Sequence, residues 1–344
     1  MHEETRIIYE SKKSLSELIV LPQGVRGYLD WITGIIRINY TQEGYELISK
    51  YQRGTWEKFF ETIIHEMFHL LQICNSGYLY NYIMSIAYEL LITELDIENN
   101  FLDKKYILNY RPTQKFIEQV DIINRKGKED ISVLDIVEGA AFYSHKIMFD
   151  KKYLDIKNYC SILKLYEGSV YDIAYLYLED QIGDYAFKLF PAIAYLSLKF
   201  ENPVSIYVES CQMIKKNIKE IKDKCLVEII AKVQRHILLE HKDFRLIEDP
   251  LKIVKNDHYY LHPCYSPVLQ QISTYDLDTI AHYMCYPSTI DDTFFFNLKS
   301  PVLLNDAKMV LPKSFDKWIF DKAKYHEDLL SKIAIASFKV MNEA

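Results

Sequence analysis

The stretch "ETIIHEMFHLLQ", residues 61–72, decides how the rest of the chain reads. It lies within residues 55–74, where apolar side chains recur at three- and four-residue spacing and predict a helix. Thr55 is a candidate N-cap, Glu57 suits the positive end of the helix dipole, and "NSG" at 75–77 is a stop signal. Trp56, Phe59, Phe60, Ile63, Ile64, Met67, Phe68, Leu70 and Leu71 cover most of the circumference, so the helix belongs in the interior. Its polar residues form one stripe: Glu61, His65, His69 and Gln72, at spacings of four, four and three. A buried polar group without a partner costs about 1–3 kcal/mol, so this stripe needs partners.

A metal ion meets that need. Residues four apart are neighbours on a helix surface, so His65 and His69 can aim ring nitrogens at a common point. Glu66 is rotated by about 100° from His65, near such an ion without competing for it. This is the HExxH arrangement, in which two imidazoles hold Zn²⁺ and the glutamate serves as general base. The competing reading is a chance pair of core histidines, which the apolar flanks and the single stripe make the weaker of the two.

Catalytic zinc takes three protein ligands and keeps one position open. The leading candidate for the third lies in "LDIVEGAAFYSH", residues 134–145, where Glu138 precedes the small residues Gly139, Ala140 and Ala141 that let its helix approach the HExxH helix closely. Glu89 and Glu94 on the helix predicted at 79–98, and His145, seven residues after Glu138, remain alternatives. His145 is also a candidate contact to substrate or oxyanion. Metal-bound histidines donate their outer N–H to a carboxylate or carbonyl; Asp135, Glu61 and Gln72 are candidates for that support, and the two acids can equally be helix-surface groups. Tyr143 is a candidate oxyanion donor, with Tyr185 and Tyr195 weaker ones.

The segments "HEMFH" and "EGAAFY" resemble the gluzincin zinc metallopeptidases, in which HExxH is followed by a helix whose Glu-Gly-x-Ala segment completes the zinc site. The resemblance covers about twenty residues. It implies His65, His69 and Glu138 as ligands, Glu66 as general base, Zn²⁺ as cofactor and a peptide or protein as substrate. One departure stands out: Glu138 follows His69 by 69 residues, whereas many gluzincins place the third ligand about twenty residues on, where Glu89 lies.

The remainder of the chain sets the frame. Short β-branched or aromatic runs, "RIIYE", "ELIVLP" and "GIIRINY", predict strands between residues 5 and 40. Helical periodicity then dominates at 55–74, 79–98, 131–149, 169–181, 184–200, 204–217 and 225–240, and a last helix is expected over 313–341. With Gly and Pro at only ten each, a mostly helical α+β fold is expected. The expected organisation is a small N-terminal sheet and a zincin-like helical body over 1–245, followed by a loop-rich and helical region over 246–344.

A net charge of −7 gives no electrostatic footprint for nucleic acid. No run reaches the ~18 apolar residues of a membrane span. The N-terminus lacks the apolar core of a secretory signal, and the cysteines at 74, 160, 211, 225, 264 and 285 form no CxxC pair, so a cytoplasmic protein with free thiols is expected. His258, His262 and Cys264, with His282 and Cys285, match no zinc spacing and read as packed residues, as do His236 and His241. The expected function is a zinc metallopeptidase, with a non-catalytic zinc-fold binding module or a narrow-specificity effector protease as alternatives.

Overall fold

The computed structural model describes residues 27–31, 34–40, 53–99, 112–119, 122–127, 129–149, 155–221, 224–240, 245–247 and 274–291, together with 272, 294, 295, 298, 302–304, 309–311, 325, 329, 332 and 333. The expected strands "RIIYE" and "ELIVLP", and most of the expected last helix, lie outside these residues. The architecture is α+β and mostly helical, as expected.

Strands β1 (Gly27–Asp30) and β2 (Ile35–Ile38) form an antiparallel hairpin, pairing Gly27 with Ile38 and Asp30 with Ile35. Gly34 closes the turn at φ 70°, a backbone conformation that costs glycine least, and its N–H donates to Asp30 O at 2.7 Å. β2 is buried along its whole length, which suits its β-branched isoleucines. Two further strands, β3 (Val302–Leu304) and β4 (Met309–Leu311), complete a sheet of order β1-β2-β3-β4. β3 runs parallel to β2, so residues far apart in sequence share one sheet.

The helix carrying HExxH, α1 (Arg53–Asn75), begins two residues before the expected cap and packs under β1 and β2. Its stop signal is also a start signal: Ser76 Oγ accepts from Leu79 N at 3.1 Å and caps α2 (Gly77–Glu98). After the short α3 (Gln114–Gln119) comes α4 (Val133–Phe149), the main helical partner of α1. At its start, Asp135 N–H donates to Ser132 Oγ at 3.2 Å while Asp135 Oδ2 accepts from Ser132 N at 2.6 Å, a reciprocal capping box.

Behind α4 lie α5 (Ile156–Leu163), α6 (Ile173–Ile182), α7 (Ala186–Ser197), α8 (Pro203–Lys216), α9 (Ile218–Ile221), α10 (Leu226–Glu240) and α11 (Leu277–Cys285). α7 is the hub, packing on α4, α6, α8, α10 and α11. Its apolar residues are buried around the circumference, the signature of a central helix. Among the described residues no helix is long and apolar enough to cross a membrane.

Gly139 sets the spacing between α4 and α7. A Cβ there would lie 3.1 Å from Phe190 Cζ and 3.4 Å from Tyr171 O. The small residue after Glu138 therefore admits Phe190, whereas the sequence reading assigned it to contact with α1. Gly139→Leu is expected to lower unfolding free energy by about 1–3 kcal/mol through overpacking, measured by urea titration. A stability equal to that of the parent would show that Phe190 has room to move.

Candidate metal centre

The two histidines of α1 and one glutamate of α4 meet at a point. His65 Nε2 lies 3.2 Å from His69 Nε2 and 3.2 Å from Glu138 Oε2, and His69 Nε2 lies 3.3 Å from the same carboxylate oxygen. The three atoms form a nearly equilateral triangle. A tetrahedral zinc at about 2.0–2.1 Å from nitrogen and oxygen ligands holds those atoms about 3.3–3.4 Å apart. The donor set and its spacing therefore fit a zinc ion. Among the described residues this is the one cluster of His, Cys, Asp or Glu fit to hold a metal.

Hydrogen bonding fixes which nitrogen of His69 faces the triangle. Gln72 Nε2 donates to Val137 O at 2.9 Å, because a carbonyl only accepts. That orients the Gln72 amide with Oε1 towards His69 Nδ1, 2.8 Å away. His69 therefore carries a proton on Nδ1. A neutral His69 then presents a lone pair at Nε2, the form a metal takes. Gln72→Leu keeps the bulk and removes the acceptor. It is expected to weaken metal binding about 10–100-fold, measured by chelator competition, and an unchanged affinity would show that the bond does not tune the site.

Two imidazole nitrogens and a carboxylate this close need a cation among them, either a proton or a metal ion. Where it is a proton, His69 holds it. Burial works against its charge, but the Glu138 carboxylate, with help from Glu66 and Gln72, raises it to about 9. Burial lowers His65 to about 4, despite the pull of Glu138. Burial also opposes the Glu138 carboxylate, yet His69 and the bonds from both histidines hold it well below the usual carboxylate range. Glu66 moves the other way: burial raises it to about 7, against the pull of His69 and of the Leu29 N–H.

Glu66 is held from β1, with Oε2 accepting from Leu29 N at 2.7 Å. It and His65 line a cavity of about 320 Å³, bordered also by Glu61, His145, Lys146 and Tyr171. His145 is buried against His65, with the two Nδ1 atoms 3.1 Å apart. Glu61 reaches His145 Nε2 at 3.3 Å and pairs with Lys146, so among the described residues its contacts are with those two and not with His65 or His69.

Other expected residues fall elsewhere. Asp135 caps α4 and pairs with Lys126 at 2.7 Å instead of supporting a histidine. Tyr143 points away from the cavity: its hydroxyl donates to Phe187 O within an aromatic cluster with Tyr159 and Phe190. Glu89 is fully buried and accepts from Thr113 N at 2.8 Å and Thr113 Oγ1 at 2.5 Å, ahead of α3, so it is not a ligand. Glu94 lies on α2 and neither Tyr185 nor Tyr195 lines the cavity. His236 lies 3.5 Å from Glu209, and His282 packs on Tyr286 with ring centroids 4.7 Å apart. Burial pushes the Cys285 thiol up to about 12. His241, His258, His262 and Cys264 lie outside the described residues.

The sequence reading missed Lys146, Tyr166 and Tyr171. Tyr171 stands with its ring centroid 5.9 Å from that of His65, packed with Phe142 and Tyr166. Lys146 lies on α4, next to His145, and the two tyrosines come from the connection between α5 and α6, which no spacing ties to "HEMFH". Comparison with family models, with curated proteins and with solved structures finds no match to the chain.

Proposed function

We propose that the chain is a metal-dependent hydrolase, and specifically a zinc peptidase of gluzincin type. The observation that carries this reading is the triangle of His65, His69 and Glu138 with Glu66 beside it. Three protein donors are the number a catalytic zinc uses. Zinc held there supplies Lewis acidity, polarising a scissile carbonyl and acidifying water.

The chain's own groups supply the proton handling. With burial raising it to about 7, Glu66 is poised to accept a proton near neutral pH and to return it to a leaving amine. The Leu29 N–H holds one of its oxygens and leaves the other for that transfer. The cavity at His65 and Glu66 gives room for the substrate flanking the scissile bond, lined by the rings of Phe142, Tyr166 and Tyr171 and by the Glu61–Lys146 pair.

The test is zinc titration of metal-free protein followed by assay on a mixed peptide library read by mass spectrometry. One zinc per chain together with metal-dependent cleavage is expected. Protein that takes up no stoichiometric zinc would overturn the metal site, and zinc uptake without cleavage would favour the non-catalytic binding module.

A further inference from the structure

Helix α2 is apolar on two opposite sides. On one side Leu79, Ile83 and Leu90 are buried and Ile86 and Ile97 pack on the core, where α2 meets α1 and α3. On the other, about 150° around the helix, stand Met84, Tyr88, Leu91 and Leu95. Tyr88 is 59% exposed, Leu91 47% and Leu95 45%, and Met84 is half-buried. A helix apolar on so many sides belongs in an interior, yet this second stripe lies at the surface.

The stripe has a regular period. Its residues recur at spacings of four, three and four, the a and d positions of paired helices. Asn81, Tyr88 and Leu95 then hold a positions, and Met84, Leu91 and Glu98 hold d positions. Side chains so spaced fit the holes on the surface of another helix. The partner that this stripe fits is therefore helical.

Charge selects which helix. No charged side chain occurs in Gly77–Tyr88, whereas Glu94, Asp96 and Glu98 crowd the C-terminal end of α2. A parallel copy would set two acidic ends, and two negative dipole ends, side by side. An antiparallel copy sets each acidic end beside the uncharged N-terminal half of the other. About a two-fold axis between residues 89 and 90, Met84 meets Leu95 and Tyr88 meets Leu91, each a against d. Asn81 meets Glu98, an amide donor beside a carboxylate. The stripe is complementary to itself, as an isologous interface requires.

We propose that α2 pairs antiparallel with α2 of a second copy of this chain about that two-fold axis. The inference goes beyond the metal site, to which α2 gives no donor. From Met84 to Leu95 the stripe runs roughly 17 Å along the helix. A stable interface buries about 800 Å² per partner, more than one short helix seam supplies, so the dimer is expected to form reversibly at micromolar concentration.

Sedimentation velocity of the full chain, from low micromolar to millimolar concentration, is expected to show monomer passing to dimer. Leu91→Lys is expected to weaken the dimer about 100-fold or more, because each dimer loses two buried leucines. Tyr88→Glu is expected to weaken it as well. Combining Tyr88→Glu with Leu91→Lys should recover much of the lost affinity. The antiparallel register sets each new carboxylate across from a new ammonium, whereas a parallel one sets like charges together. Both side chains are exposed, so the urea midpoint of dilute protein should stay at the parent value, which separates lost pairing from lost fold.

A parent that remains monomeric at millimolar concentration overturns the proposal and leaves the stripe to a helix of another protein. A dimer that Leu91→Lys leaves intact lies elsewhere on the chain and overturns it too. A combined variant no tighter than the single ones overturns the antiparallel order.

Discussion

Glu66→Gln is expected to lower kcat/KM for peptide cleavage by about 10²–10⁴-fold, the range for losing a positioned general base. Zinc content should stay at the parent level, because Glu66 contributes no atom to the His65, His69 and Glu138 triangle. The fold should also persist, since a glutamine oxygen can still accept the Leu29 N–H that Glu66 Oε2 accepts at 2.7 Å. The pH profile supplies a second signature. Burial raises Glu66 to about 7, and the positive charge of a bound metal lowers it from there. A base must be ionised to act, so kcat/KM of the parent should fall along an acidic limb centred below about pH 7, displaced downward by the metal's charge. In Glu66→Gln that acidic limb should vanish from the residual activity. A variant that keeps its zinc and cleaves within a few-fold of the parent would remove Glu66 from the mechanism.

What the sequence could say about this site followed from periodicity. His65, His69 and Gln72 lie on one face because helix geometry demands it, and only the stripe they form made their burial informative. Tyr143 could have been excluded by the same rule. It follows Glu138 by five residues, about 140° around a helix, and it is found among Tyr159, Phe187 and Phe190. Asp135 was readable too, as the last residue of a Ser-x-x-Asp capping pattern starting at Ser132.

Other features depend on packing between distant elements, which no local pattern encodes. Gly139 was correctly singled out as a close-approach residue, but its neighbour Phe190 belongs to α7, 51 positions later. β3 and β4 are three residues each, too short for an alternation signal, and β3 exists as a strand because β2 offers it an edge. The His65–His145–Glu61 chain joins α1 to α4 across 80 residues and could only be seen once those helices were packed. Local propensity thus shaped the helices, whereas the site's supporting groups came from how the helices meet.

Glu138→Ala is expected to abolish tight zinc binding, and the reasoning runs through charge as well as geometry. The substitution removes one of three donors and the carboxylate that offsets the ion's charge. It also removes the main attraction holding a proton on His69. In the parent, zinc must displace that proton, because His69 is raised to about 9 and is charged at neutral pH. Parent affinity should therefore climb about tenfold per pH unit through neutrality and level off near pH 9. Zinc uptake at pH 7 should release about one proton per ion from His69, seen as a buffer-dependent enthalpy in calorimetry. In Glu138→Ala, burial is left to lower His69, so the proton release should largely disappear with the affinity. Stability should report the same loss: zinc at a hundred times the parent Kd adds about 2.7 kcal/mol to the unfolding free energy, and the variant should gain little at that concentration. Glu138→Ala that binds zinc as tightly as the parent would take Glu138 out of the ligand set, and with it the correspondence between "EGAAFY" and the gluzincin pattern.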